Sequence, residues 1–176
     1  MHEWVKHHRA ALQFAEAASR EQGIDAIDAF QRAFFRNAFG DHFLQDSHAA
    51  GHMGFNRSAS SIAATAAYHK VWNKRGRRLE NRKGERWTTY GDGFLRAKKN
   101  TEGKRRVVEA CENSAYAVIS AFVFGTRDTS HELAAWRQLP LLIDARPMAS
   151  LLEGELAIRK NSSRPRCLAS IRFFHL

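Results

Sequence analysis

The segment DHFLQDSHAAGHMG at residues 41–54 sets His42, Asp46 and His52 in a His-x3-Asp-x5-His spacing. A helix returns to the same side after four residues, so His42 and Asp46 should point the same way from adjacent turns. Two donors on one rigid turn can meet one metal ion. After a small-residue stretch, His52 can swing back to that ion or to a second one nearby. Neutral imidazole and carboxylate are ligands that suit zinc. His48 adds a further imidazole to the segment. The plainer reading gives His42 to a backbone carbonyl and Asp46 to a helix cap or an ion pair with an arginine such as Arg57. Spacing alone does not choose between the two.

The element that must position these groups is a helix. Reading back from Asp46 in steps of three and four gives His42, Ala38, Phe34, Phe30 and Ile27, an apolar stripe that ends in two polar groups. On this pattern the candidates face the core. A lone ionised carboxylate there costs several kcal/mol to desolvate, so it calls for a cation, and a metal is the simplest one.

With 176 residues, 44% of them hydrophobic and 11% aromatic, the chain can bury a sizeable core as one domain over residues 1–176. The formal net charge of +10 points to anionic partners, whether nucleic acid, acidic lipid headgroups or an acidic protein. Cys111 and Cys167 are too few for a disulfide framework, and Cys111 falls on an apolar helical face as a buried thiol. No apolar run is long enough to span a bilayer. The start, MHEWVKHHRAALQ, lacks the apolar core of a secretory leader. The expectation is action in the cytoplasm, or export by a leaderless route or after leader removal.

The chain organises itself around helices. The first spans residues 3–20, with Trp4, Ala11, Phe14, Ala15 and Ala18 at helical spacing. A second runs from an Asp25 cap to Ser47, with Gly40 allowing close packing, and a third opens at Ser58. Residues 70–106 hold roughly a third Lys and Arg, about half of the chain's 28, punctuated by Gly76, Gly84, Gly91, Gly93 and Gly103. This basic insertion is either irregular or a small hairpin around Arg82, Lys83 and Gly84. A core helix follows over residues 101–124, lined by Val107, Val108, Cys111, Ala115, Val118, Ile119 and Phe122. Thr129 and Glu132 read as a capping box for a fifth helix that Pro140 kinks or ends, and Pro147 opens a shorter sixth. The tail CLASIRFFHL is left open between packing and pairing as a strand. The fold class is all-α: a single-domain bundle of five to six helices with a basic insertion and an irregular C-terminal tail.

The string HFLQDSHAAGHM resembles the central metal motif of the zinc-dependent phospholipase C family, whose helical fold is shared with the S1/P1-type nucleases. His69, Asn73, Gly76, Trp87 and the Tyr90-Gly-Asp-Gly93 string also look like the bacterial phospholipase-type branch. The resemblance covers residues 4–125. It implies a phosphodiester hydrolase in which His42, Asp46, His52 and His69 hold one to three zinc ions. Where the family carries a His-x3-Glu, this chain has His69 and Asn73, and an amide oxygen is a much poorer zinc ligand. That site would lose an ion, accept water, or recruit Glu80 or Asp92. The family's amino-terminal ligand segment would fall before Met1. His2, His7 and His8 are the local substitutes, although two adjacent histidines on a first turn read more simply as surface residues.

On this resemblance, zinc-activated water attacks phosphorus, with Asp46 inside the site and Arg57 offsetting phosphoryl charge. Asp41 or Asp92 would serve as a separate base if either reaches in. Phospholipid or a membrane surface is the expected partner. Single-stranded nucleic acid is the alternative, and a metal-free basic binding module is the non-enzyme reading. Trp72, Trp87, Tyr90 and Phe94 within the insertion would insert into lipid, stack on bases, or anchor the insertion to the core.

Overall fold

The computed structural model describes residues 2–54, 61–127 and 129–143. Five α-helices carry most of it: α1 (His2–Ala18), α2 (Gly23–His48), α3 (Ile62–Arg75), α4 (Thr101–Phe124) and α5 (Thr129–Gln138). A small antiparallel sheet is added by β1 (Arg77–Glu80), β2 (Arg86–Thr89) and β3 (Leu141–Leu142), in the order β2-β1-β3. The described residues make one compact unit. The expected sixth helix and the C-terminal tail lie outside the described residues.

Small side chains let α1, α2 and α4 approach closely. Ala11, Ala15, Ala33, Ala117 and Ala121 are fully buried with Leu12 and Val118 in one cluster. Trp4, Leu44, Ala110, Ala135 and Leu139 form a second cluster toward the other end of the helices. Trp4 meets Asp41 while His8 meets Asn37, so α1 and α2 run antiparallel. At Gly40 an added methyl would stand 2.9 Å from the His7 Cβ, so the glycine is what permits this approach.

The face of α2 that packs is not the one its phenylalanines suggest. Ala33, Asn37, Gly40, Asp41, Leu44 and His48 are buried, whereas Ile27, Phe34 and Ala38 are exposed. The reason is fit: α1 offers alanines and two histidines, which accept an alanine, a glycine and an amide more closely than a row of rings. His7 and His8 are correspondingly buried and not on the surface. The core side of α4 is rotated in the same way, since Ala110, Ser114, Ala117 and Ala121 are buried while Val108 and Ile119 stay partly open.

Local boundaries follow capping chemistry. Gln22, not Asp25, precedes α2. Ser61 caps α3 by accepting the Ala64 N–H at 3.2 Å, while Ser58 lies outside the described residues. Gly125, in the left-handed region at φ 64°, ends α4. The basic insertion contains a true hairpin, β1 pairing with β2 in the register Leu79↔Trp87, and Gly84 at φ 78° makes its turn. α5 ends at Gln138, two residues before Pro140. Leu141 and Leu142 then leave as a strand beside β1. Among the described residues one helix, Lys98–Phe124, is by length and composition long and apolar enough to cross a membrane; it packs here against α1 and α2 through its alanines and Ser114.

Candidate functional site

Asp46 stands in the last turn of α2, two residues before its end, His52 on the 3-10 turn Ala50–His52, and His69 and Asn73 on successive turns of α3. These elements bring together the residues singled out by spacing. His42 Nε2 lies 3.7 Å from Asp46 Oδ2, the same oxygen lies 3.3 Å from His52 Nδ1, and His52 Nε2 meets His69 Nε2 at 2.8 Å. Asn73 closes the row with Nδ2 3.3 Å from both ring nitrogens of His69.

The two ends of this row favour one arrangement of its protons. The Gly51 N–H donates to Asn73 Oδ1 at 2.7 Å, so the amide must turn its NH2 toward His69. At the other end His52 Nδ1 faces the Asp46 carboxylate at 3.3 Å, which favours the tautomer with its proton on Nδ1. That tautomer leaves the Nε2 lone pair of His52 toward His69, whose Nε2 would then be the donor. Asn73 is 3% exposed and wedged between Gly51 and Gly91, where a methyl at either glycine would overlap its amide. It braces the loop that presents His52. That role explains an amide where a ligand carboxylate was expected.

The donor chemistry fits zinc at His52, whose Nε2 lone pair is held out by a carboxylate behind the ring, an arrangement common at metal-bound histidines. His69 fits in its other tautomer. His42 and Asp46 stand at the outer end of the row, with side chains 66% and 32% exposed. They do not face the core, contrary to the stripe read from the phenylalanines. Among the described residues, no three or more His, Cys, Asp or Glu groups converge on one point.

Other expected participants are placed elsewhere. Glu80 pairs with Arg86 at 2.6 Å on the hairpin and does not reach the row. His48 is buried and directs Nδ1 to the Leu44 carbonyl at 3.0 Å, and burial lowers its pKa. Arg57 and the side chain of Asp92 lie outside the described residues. The aromatics of the basic insertion serve as anchors: Arg106 covers the Trp87 ring at 4.5 Å, Arg77 covers Trp72 at 3.9 Å, and Lys99 covers Tyr90 at 4.0 Å. Arg106, itself buried, also pairs with Glu85 at 2.6 Å and Glu102 at 2.7 Å. Arg77 and Arg106 are thus spent inside the fold, while the other cations of the insertion stay exposed.

A cavity of about 440 Å³ opens beside Asp46. Leu95, Val107, Val108, Ala49 and the Tyr90 ring give it apolar walls, with Gln45 and Glu112 as polar partners. Its size is that of a small-molecule site. Cys111 lines it too, but burial pushes the thiol up to about 12, so it is no nucleophile at neutral pH.

A second polar assembly was missed by spacing arguments. Asp41, one residue before His42, lies inside the helix bundle at 8% exposure. It accepts from Ser114 Oγ at 2.7 Å, Asn37 Nδ2 at 3.0 Å and Trp4 Nε1 at 3.2 Å. Asn37 Oδ1 in turn accepts from His8 Nδ1 at 2.6 Å. Desolvation raises the Asp41 pKa to about 6, the hydroxyl and indole bonds opposing it. The signal was present in the 3.6-residue series Asn37, Asp41, Leu44 and His48, had polar residues been allowed on a core face.

Compared with protein-family models, with curated proteins and with solved structures, the chain matches none of them.

Proposed function

We propose that this chain is a metal-dependent phosphodiester hydrolase acting on phospholipid headgroups, with zinc held by His52 and His69 and supported by Asp46 and His42. The observation that carries this reading is the unbroken row from His42 through Asp46 and His52 to His69, assembled from three separate elements. The likeness of HFLQDSHAAGHM to the zinc-dependent phospholipase C motif supports the same reaction class.

In this reading Asp46 fixes the His52 tautomer and balances positive charge in the row. Asn73 orients the loop that carries His52, and His69 changes tautomer to become a ligand. A bound zinc ion supplies Lewis acidity and lowers the pKa of water toward neutrality. The apolar cavity beside Asp46 favours a substrate with an aliphatic part over a nucleotide. Arg57 remains the proposed phosphate partner on sequence grounds.

The direct contact of the two Nε2 atoms favours one second reading, a metal-free binding module whose basic surface meets an acidic partner. Zinc content and turnover separate the two. The hydrolase reading expects at least one zinc per chain after metal-replete purification, release of headgroup from phosphatidylcholine faster than cleavage of single-stranded DNA, and loss of about 100-fold or more in rate in His52→Ala. A well-folded, metal-replete chain without zinc and without turnover would leave the binding module standing.

A further inference from the structure

The aromatic residues expected to meet lipid, those of the basic insertion, are largely committed to internal cations, yet the molecule does expose a phenylalanine face elsewhere. It lies on α2. Phe35 is 71% exposed, Phe39 57% and Phe34 38%, with Ile24 and Ile27 open about two to three turns earlier. At 100° per residue, Phe35, Phe39, His42 and Asp46 fall on one outer side of this helix, opposite the buried Ala33, Asn37, Leu44 and His48. Arg32 and Arg36 are exposed among these phenylalanines and make no ion pair with the described residues.

We infer that the Phe34–Phe39 face of α2 is a docking surface for an anionic lipid bilayer, holding the His42 end of the row at headgroup level. Two properties select lipid as the occupant. The face combines exposed rings with adjacent guanidinium groups, which suits insertion at the acyl boundary beneath a layer of lipid phosphates. It is also continuous along one helix side with the candidate site, so a substrate drawn from that bilayer would meet His42 and Asp46 first. Of the four acidic residues of the helix, Asp25 and Asp28 sit in its first turns and Asp41 is buried, so Asp46 of the row itself is the carboxylate at the His42 end of this side. This inference rests on the lipid reading of the site for its purpose, but its test does not use hydrolysis.

The full chain is floated with vesicles of phosphatidylcholine, with and without phosphatidylglycerol, and compared with Phe35→Ser/Phe39→Ser and Arg32→Gln/Arg36→Gln. Because these side chains are exposed, the variants should fold, as circular dichroism would show. The wild-type chain should partition to vesicles and do so more strongly with phosphatidylglycerol. The phenylalanine pair should lower partition by about ten-fold or more, and the arginine pair should remove only the anionic-lipid gain. Hydrolysis of a soluble phosphodiester should be unchanged by either pair. Equal partition of the wild-type chain and the phenylalanine variant would overturn the inference. So would a wild-type dimer that the variant converts to monomer with vesicle binding intact, since the face would then belong to a second copy. Vesicle binding that depends on Phe35 and Phe39 without any turnover would keep the docking surface and remove the hydrolase reading.

Discussion

Asp41 and Asp46 belong to one helix, five residues apart, and do opposite things. Asp41 is enclosed by three donors from three helices, so its bonds are complete inside the protein. Asp46 sits on the outer side of α2 with an imidazole on each flank, beside a cavity. A buried carboxylate with its partners supplied holds helices in register. A half-exposed one that orders imidazoles and keeps an open side can meet something else. Burial by itself therefore did not mark the candidate site on this helix; the local supply of partners did.

Replacing Asn37 by Ala should expose this contrast most strongly. It removes the group that joins His8, Asp41 and Ser114, and should cost about 3 to 4 kcal/mol in denaturant unfolding. His42→Ala or Asp46→Asn should cost less than about 1 kcal/mol, because their contacts are partly solvated. Equal losses would erase the distinction between the two regions.

Stability should also depend on pH through Asp41. Its folded pKa of about 6 lies above the ordinary 3.8, so the folded state binds the proton more tightly. The contribution is full below about pH 4 and is lost as pH rises through 6, a fall on the order of 3 kcal/mol at most. Asp41→Asn should flatten that part of the profile measured by chemical denaturation. An unchanged slope would mean that another group carries it.

Gly40→Ala tests the close approach of α1 that builds the buried network. With the His7 Cβ 2.9 Å from the added methyl, a loss of about 2 kcal/mol is expected, read as a lower thermal midpoint. The smallest effect concerns Cys111. Its raised pKa predicts negligible alkylation by iodoacetamide at pH 7 in the folded chain, with labelling on denaturation. Rapid labelling of native Cys111 would show that the cavity opens to water.

Much of the framework was legible as pattern. The α4 limits at Thr101 and Phe124 match the expectation because a long apolar period ends at a glycine that can turn left-handed. The hairpin at Arg82–Gly84 was one of two open alternatives, and cross-strand pairing with Trp87 selects it. The burial of α2 was misread because phenylalanines were weighted over alanine, glycine and asparagine. In a tight three-helix contact, small size and hydrogen-bonding capacity decide which side fits.

By itself, the sequence determined which chemistry was available: a His-x3-Asp-x5-His spacing, a later histidine and a strongly basic chain, all set by covalent order and helical period. Tertiary structure alone decided that His69 would meet His52, that Asn73 would serve the Gly51 loop, and that Asp41 would face inward. Such contacts join residues distant along the chain, and which polar group finds which partner depends on how closely whole helices can approach. Spacing along one helix carries no record of that distance.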